Sequence, residues 1–160
     1  MAVDMFMKIP GVEGESKDGS HKGEIDVLAW GWGMTQSASA HVGGGGGSGK
    51  VDVQDLSFTK YIDKSSPDLM LACCNGKHYP DAKLTVRKAG ENPLEYVVIT
   101  MMDVIVAGVT TGGSGGEDKL TENVRLNFAK VKVDYTEQTP TGAAGAKPKM
   151  GWDIEGNKKL

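Results

Sequence analysis

Gly43-Gly44-Gly45-Gly46-Gly47-Ser48-Gly49-Lys50-Val51-Asp52-Val53-Gln54-Asp55-Leu56-Ser57-Phe58 is the stretch that separates two fold classes. Its first half resembles a phosphate-binding loop. Such a loop needs a Ser or Thr hydroxyl directly after its Lys to hold magnesium, and a helix whose N-terminus faces the anion. Val51 follows Lys50 instead, and the apolar residues after it alternate or nearly so, which is the period of a strand. The segment therefore reads as a glycine loop leading into a β-strand, and no nucleotide or other cofactor is expected. Five consecutive glycines cost more conformational entropy to order than a turn requires. The sequence predicts a loop that becomes ordered only when something outside the subunit holds it.

Glycine is frequent elsewhere too. It accounts for 23 of 160 residues, about twice the usual share of ~7%, with a second concentration from Gly112 to Gly116. Such punctuation favours an all-β chain with long excursions. The length fits one domain, residues 1–160, with a single core. A net charge of −3 with interspersed lysines and carboxylates makes no basic patch for nucleic acid. No segment approaches the ~18 apolar residues of a membrane span, and the N-terminus lacks the pattern of a cleaved secretory signal. Cys73 and Cys74 are adjacent, could join only through a strained bridge, and lack zinc-site spacing. They read as small thiols in a reducing compartment, so the chain is expected to fold in the cytoplasm.

Working outward along the chain, Val3 to Ile9 reads as a strand, with Val3, Met5 and Met7 on one face. Glu13 to Gly23 is a loop. Glu24 to Ser39 then alternates: Leu28, Trp30, Trp32, Met34 and Gln36 share a face expected in the core, and Ala29, Gly31, Gly33, Thr35 and Ser37 share the other. The small-residue face suggests close approach by a neighbour, a cavity kept clear, or simple bending of a strand around a small barrel. A short helix is marked by Ser66 as N-cap, Pro67 at the first helical position and Asn75-Gly76 as the stop. Strands follow at Ala82 to Lys88, Glu95 to Met101 and Asp103 to Val109. In Glu122 to Tyr135, Val124, Leu126 and Phe128 share one parity and Val131, Val133 and Tyr135 the other, which predicts a β-bulge near Ala129-Lys130. Met150 to Ile154 closes the series after a loose connection from Thr136 to Lys149. The fold class is all-β, a compact β-barrel of about eight to nine strands with one side helix.

The chain offers no catalytic constellation. His21, His41 and His78 sit in polar or glycine-rich surroundings and read as solvated loop histidines. There is no nucleophile elbow, zinc helix or dinucleotide fingerprint, and Gly112 to Asp118 lacks the alternating oxygen ligands of a calcium loop. No enzyme activity, metal or cofactor is expected.

Several segments together resemble the Hcp family, the haemolysin-coregulated proteins of the bacterial type VI secretion system. They are Met1-Ala2-Val3-Asp4-Met5-Phe6, Gly14-Glu15-Ser16-Lys17, Glu24-Ile25-Asp26-Val27-Leu28-Ala29-Trp30 with Trp32-Gly33 and Gln36, and the run Gly43 to Lys50. Asp55-Leu56-Ser57-Phe58-Thr59-Lys60-Tyr61-Ile62-Asp63-Lys64 is the most specific block, joined by Gly76-Lys77-His78-Tyr79, Ala82-Lys83-Leu84-Thr85, Leu120-Thr121-Glu122-Asn123 and Gly151-Trp152-Asp153. The resemblance implies a phage tail-tube-like barrel that assembles as a homohexameric ring, with stacked rings forming the inner tube. It implies assembly in the cytoplasm and export through the apparatus without a cleaved signal peptide. The implied partners are other copies of itself, the VgrG spike, sheath and baseplate components, and effector proteins carried in the lumen; no nucleic acid and no membrane insertion are implied. Under this resemblance Val42, Gly43, Gly44, Gly45, Gly46, Gly47, Ser48, Gly49 and Lys50, up to Val51, become a ring-stacking loop. Ala29, Gly31, Gly33, Thr35 and Ser37 become the lumen wall or the subunit seam. Two other readings stand beside it: a monomeric β-barrel that binds a small ligand in its mouth, and an enzyme with an unrecognised carboxylate site.

Overall fold

The structure is a computed structural model and describes residues 2–37 and 49–160. Alternating side chains dictate its strands, numbered in chain order: β1 (Val3–Lys8), β2 (Ile25–Gly31), β3 (Met34–Thr35), β4 (Asp52–Val53), β5 (Leu56–Tyr61), β6 (His78–Lys88), β7 (Leu94–Thr111), β8 (Thr121–Tyr135), β9 (Lys149–Asp153) and β10 (Lys158–Lys159). One helix, α1 (Ser66–Asn75), lies between β5 and β6 and contacts β7. The strands β8, β5, β2, β1, β6 and β7 pair in that order, and β7 returns to β8. Six antiparallel strands therefore close a barrel, leaving no free edge within the ring. Beyond it β9 and β10 continue the sheet from the far half of β8, and β3 pairs with β4 as a separate ribbon.

The barrel interior is packed with side chains. Leu56, Phe58, Leu84, Met101, Leu126 and Val131 are among its fully buried members, with Leu69 and Ala72 of α1 joining them. The expected eight to nine strands and single side helix correspond to this barrel with its short additional strands.

Several local expectations change. The face chosen for β2 holds only past a bulge. Ile25 and Val27 point inward, the register against β5 shifts between Val27 and Ala29, and Trp30 then turns toward the core. The extra residue is Leu28, which is 38% exposed, and Met34 at 44% is also outside the core. The helix begins one residue earlier than read, with Ser65 at the cap position and Pro67 in the first turn. Ser66 is unavailable as a cap because its hydroxyl accepts from Asp63 N and Lys60 Nζ and donates to Glu122. The end is as expected, with Gly76 in the left-handed region at φ 67°.

The parity change in β8 is real: Phe128 and Val131 are both buried. No bulge accompanies it, because the β7–β8 register is unbroken from Val97↔Tyr135 to Val106↔Leu126 and shifts only between Val106 and Gly108. Strand β7 switches faces at the same level, with Met101 and Val104 both buried and Asp103 between them at φ 56°. Both strands take one extra step together, so the side chains change sides while the ladder stays in step. The predicted strands Glu95–Met101 and Asp103–Val109 are thus one strand bent at Asp103.

Candidate functional site

With the barrel interior filled, the surfaces available for function lie outside it. Ala29 and Gly31 on β2 pair with Thr59 and Ser57 on β5, which pair with Asn123 and Arg125 on β8, which pair in turn with Thr110 and Gly108 on β7. Period-2 alternation places all eight on one face, so small and polar side chains run across four strands as one wall. Thr59 Oγ1 donates to Asn123 Oδ1 at 2.6 Å, Ser57 Oγ to Gly31 O at 3.4 Å, and Asn127 Nδ2 to Asp55 Oδ1 at 2.9 Å. The Ala29 and Gly31 proposed from sequence belong to this wall. Thr35 on β3 and Ser37 beyond it are exposed, and Gly33 is half-buried against the Gln54 side chain. The neighbouring Ser57, Thr59, Asn123 and Arg125 were not selected from sequence. Their alternation in Asp55 to Tyr61 and Glu122 to Asn127 is visible there, but their adjacency is created by strand pairing.

Of the glycine loop, Val42 to Ser48 lie outside the described residues. Gly49 and Lys50 are described, and Gly49 packs directly on the side chains of Ser37 and Gln36. The two flanks of residues 38–48 therefore meet at one place, at the end of the β3–β4 ribbon. Beside it Trp32, Met34, Val53, Val131, Met150 and Trp152 line an apolar groove of about 350 Å³. Trp32 is pinned there by its Nε1, which donates to Gln54 O at 2.9 Å.

Two charged clusters were not read from sequence. At one end of the barrel, Lys60 and Glu122 are opposite each other in the β5–β8 register and both are fully buried. Lys60 Nζ donates to Glu122 Oε1 and Ser66 Oγ and forms an ion pair with Asp63 Oδ1 at 3.0 Å. This cluster ties β5, α1 and β8 together. Outside it, Asp26 borders a cleft with Glu15, Tyr61, Asp63 and Lys119, and burial followed by the charges of Asp63, Asp18 and Asp4 raises its carboxyl above the ordinary range.

The second cluster corrects the reading of His21 as a solvated histidine. His21 is 7% exposed and stacks on Phe6, with centroids 4.4 Å apart and planes within 9°. The guanidinium of Arg87 lies 5.1 Å from the same Phe6 ring. Arg87 binds Asp18 at 2.6 Å and Asp4 at 3.1 Å, and its hydrogen bond holds the Asp18 carboxyl down at about 2. His78 is exposed, with Nδ1 3.0 Å from Asp103 Oδ1, and His41 lies outside the described residues. Cys73 is half-buried and Cys74 exposed, both as free thiols. Among the described residues no three His, Cys, Asp or Glu side chains converge as metal ligands.

The class defined by these features is a small closed-barrel protein with a short β-wing and one side helix, whose distinctive surfaces are external. The chain belongs to the Hcp family: the family model described as "Type VI secretion system effector, Hcp" matches residues 6–135. It is 70% identical over 159 residues to Protein hcp1 of Pseudomonas aeruginosa, covering 98% of each chain. Its fold is similar to the crystal structure of Hcp1 from Salmonella typhimurium, with TM-score 0.84, 45% identity and 100% of both chains covered. A solved type six secretion system protein matches at TM-score 0.93 and 30% identity, over 99% of this chain and 100% of the other.

Proposed function

We propose that this protein is the ring-forming subunit of a type VI inner tube. Six copies close a ring, rings stack, and the tube is expelled by sheath contraction with the VgrG spike at its tip and effectors in its lumen. The observation that carries this reading is the small, polar wall across β2, β5, β8 and β7, joined to family membership. The centre of a stable subunit interface is depleted of polar groups and rich in aromatic residues. A wall of Gly, Ala, Ser, Thr and Asn with the single charge of Arg125 favours the lumen over the seam, because hydrated, mostly small side chains let cargo pass without binding it strongly. Val42 to Lys50 bridges successive rings, where contact with a second ring offsets the entropy of ordering the glycines. The subunit is assembled in the cytoplasm, meets sheath and baseplate components there, and leaves through the apparatus. Its role is structural, without catalysis.

The test is the mass of the purified protein by light scattering after size exclusion, with negative-stain images of the peak. Hexamers appearing as open rings are expected; a clean monomer at high concentration would overturn the reading. Shortening Gly44 to Gly47 should leave rings intact but weaken stacking. The small-ligand reading is disfavoured by the packed barrel interior, which leaves it external clefts such as the Trp32–Trp152 groove.

A further inference from the structure

Residues 13–24 do not hang free as a loop. Gly14 N donates to Gly23 O at 2.8 Å, Gly23 N to Ser16 O at 2.9 Å, and Ser16 N to Glu24 O at 3.0 Å, so the segment is a narrow, internally bonded strap. It covers Phe6, which is 4% exposed and stands apart from the barrel core. Two ties hold it to the outside of the barrel. Arg87 of β6 binds Asp18, and His21 reaches Glu95 of β7 through Nε2 at 2.7 Å while its Nδ1 meets Glu24 at 2.9 Å.

These ties differ in chemistry. A guanidinium stays charged at any ordinary pH, whereas an imidazole has one N–H when neutral and two when protonated. Both His21 nitrogens face carboxylate oxygens, so making both bonds at once requires the imidazolium. We propose that residues 13–24 form a proton-operated strap, tied permanently near its tip by Arg87–Asp18 and, three residues on, only while His21 carries both protons between Glu24 and Glu95. The charged groups facing His21 are Glu24, Glu95 and Asp18, with Arg87, bound to Asp4, against the same Phe6 ring. As pH rises and the ring loses a proton, one carboxylate is left facing a lone pair. The His21 side of the turn and the leg that follows it then loosen from Phe6 while Asp18 remains seated on Arg87.

Hydrogen exchange on the intact protein tests this, with protection compared at about pH 5.5 and about pH 8.5. Protection of the Gly14, Gly23 and Glu24 amides should fall about tenfold or more at the higher pH. That of Ser20, whose amide is bonded to Asp18 Oδ2, should hold. Glu95→Gln, at a side chain 46% exposed, should abolish the pH dependence, because neutral His21 can donate to Glu24 and accept from the carboxamide. Equal protection at the two pH values, an equal loss at Ser20, or an unchanged pH dependence in Glu95→Gln would each overturn the proposal.

Discussion

Lys60 and Glu122 form the last inward-facing rung of the β5–β8 ladder, with Nζ 2.5 Å from Oε1 and neither side chain reaching solvent. The rungs before it are Phe58↔Val124 and Leu56↔Leu126, so the chain places a charged pair where an apolar pair would fit.

A buried pair is costly to break and cheap to replace as a whole. Glu122→Leu alone strands the Lys60 ammonium and should cost about 3–5 kcal/mol. The double variant Lys60→Met with Glu122→Leu should recover most of that loss. Urea unfolding of the three proteins measures both terms, and a double variant no better than the single one would show that Asp63 and Ser66 need the charge to position α1.

The strap has a steric requirement. A Cβ at Gly14 would overlap the carbonyl of Glu24 and approach Ile25 Cα to 2.7 Å, both backbone groups that cannot swing aside. Gly14→Ala should destabilise by about 1–3 kcal/mol, as overpacking does elsewhere. The loss should be local, seen as faster proteolysis within residues 13–24 while the barrel amides keep their protection.

Asp26 should respond to pH with a definite sign. Its carboxyl is raised in the folded chain by burial and neighbouring carboxylates, so its favourable contribution is present below the ordinary aspartate value and lost as pH rises through the raised one. Asp26→Asn should therefore raise the unfolding temperature at neutral pH and give no gain near about pH 3. Asp18 has the opposite sign: its carboxyl, held at about 2 by Arg87, contributes above the ordinary aspartate value and is lost only as pH falls through about 2. Thermal scans of both Asn variants across the acid range separate the two.

Gly31 tests the wall. The nearest atom to a Cβ built there is Ser57 Oγ at 3.8 Å, so a long side chain fits within the subunit. Gly31→Arg should leave subunit stability within about 0.5 kcal/mol. If the wall lines the lumen, negative-stain images should show closed rings with a narrowed opening. Loss of rings with the fold intact would place Gly31 in the seam instead.

Much of the framework was local and therefore legible. Alternation in Leu56-Ser57-Phe58-Thr59 and in Val124 to Phe128 sets which side chains go inward, Gly76 stops the helix because it alone there enters the left-handed region freely, and the Asp55 to Lys64 block carries the family likeness. Periodicity reports only the face of a residue relative to its own strand, and it fails where the strand adds a step. Leu28 is the case in point: one extra residue in β2 sends it outward, although it has the parity of Trp30.

Pairing between distant segments was decided by closing the barrel. Lys60 reads as a polar residue in a strand until the register sets it against Glu122, and His21 reads as a solvated loop residue until Phe6, Glu24 and Glu95 surround it. The sequence by itself determined the inward alternation of most barrel strands, where the helix ends and the family to which the chain belongs. Only the tertiary structure decided which charges are buried and which small residues share a wall, because those depend on the register between strands far apart in the chain.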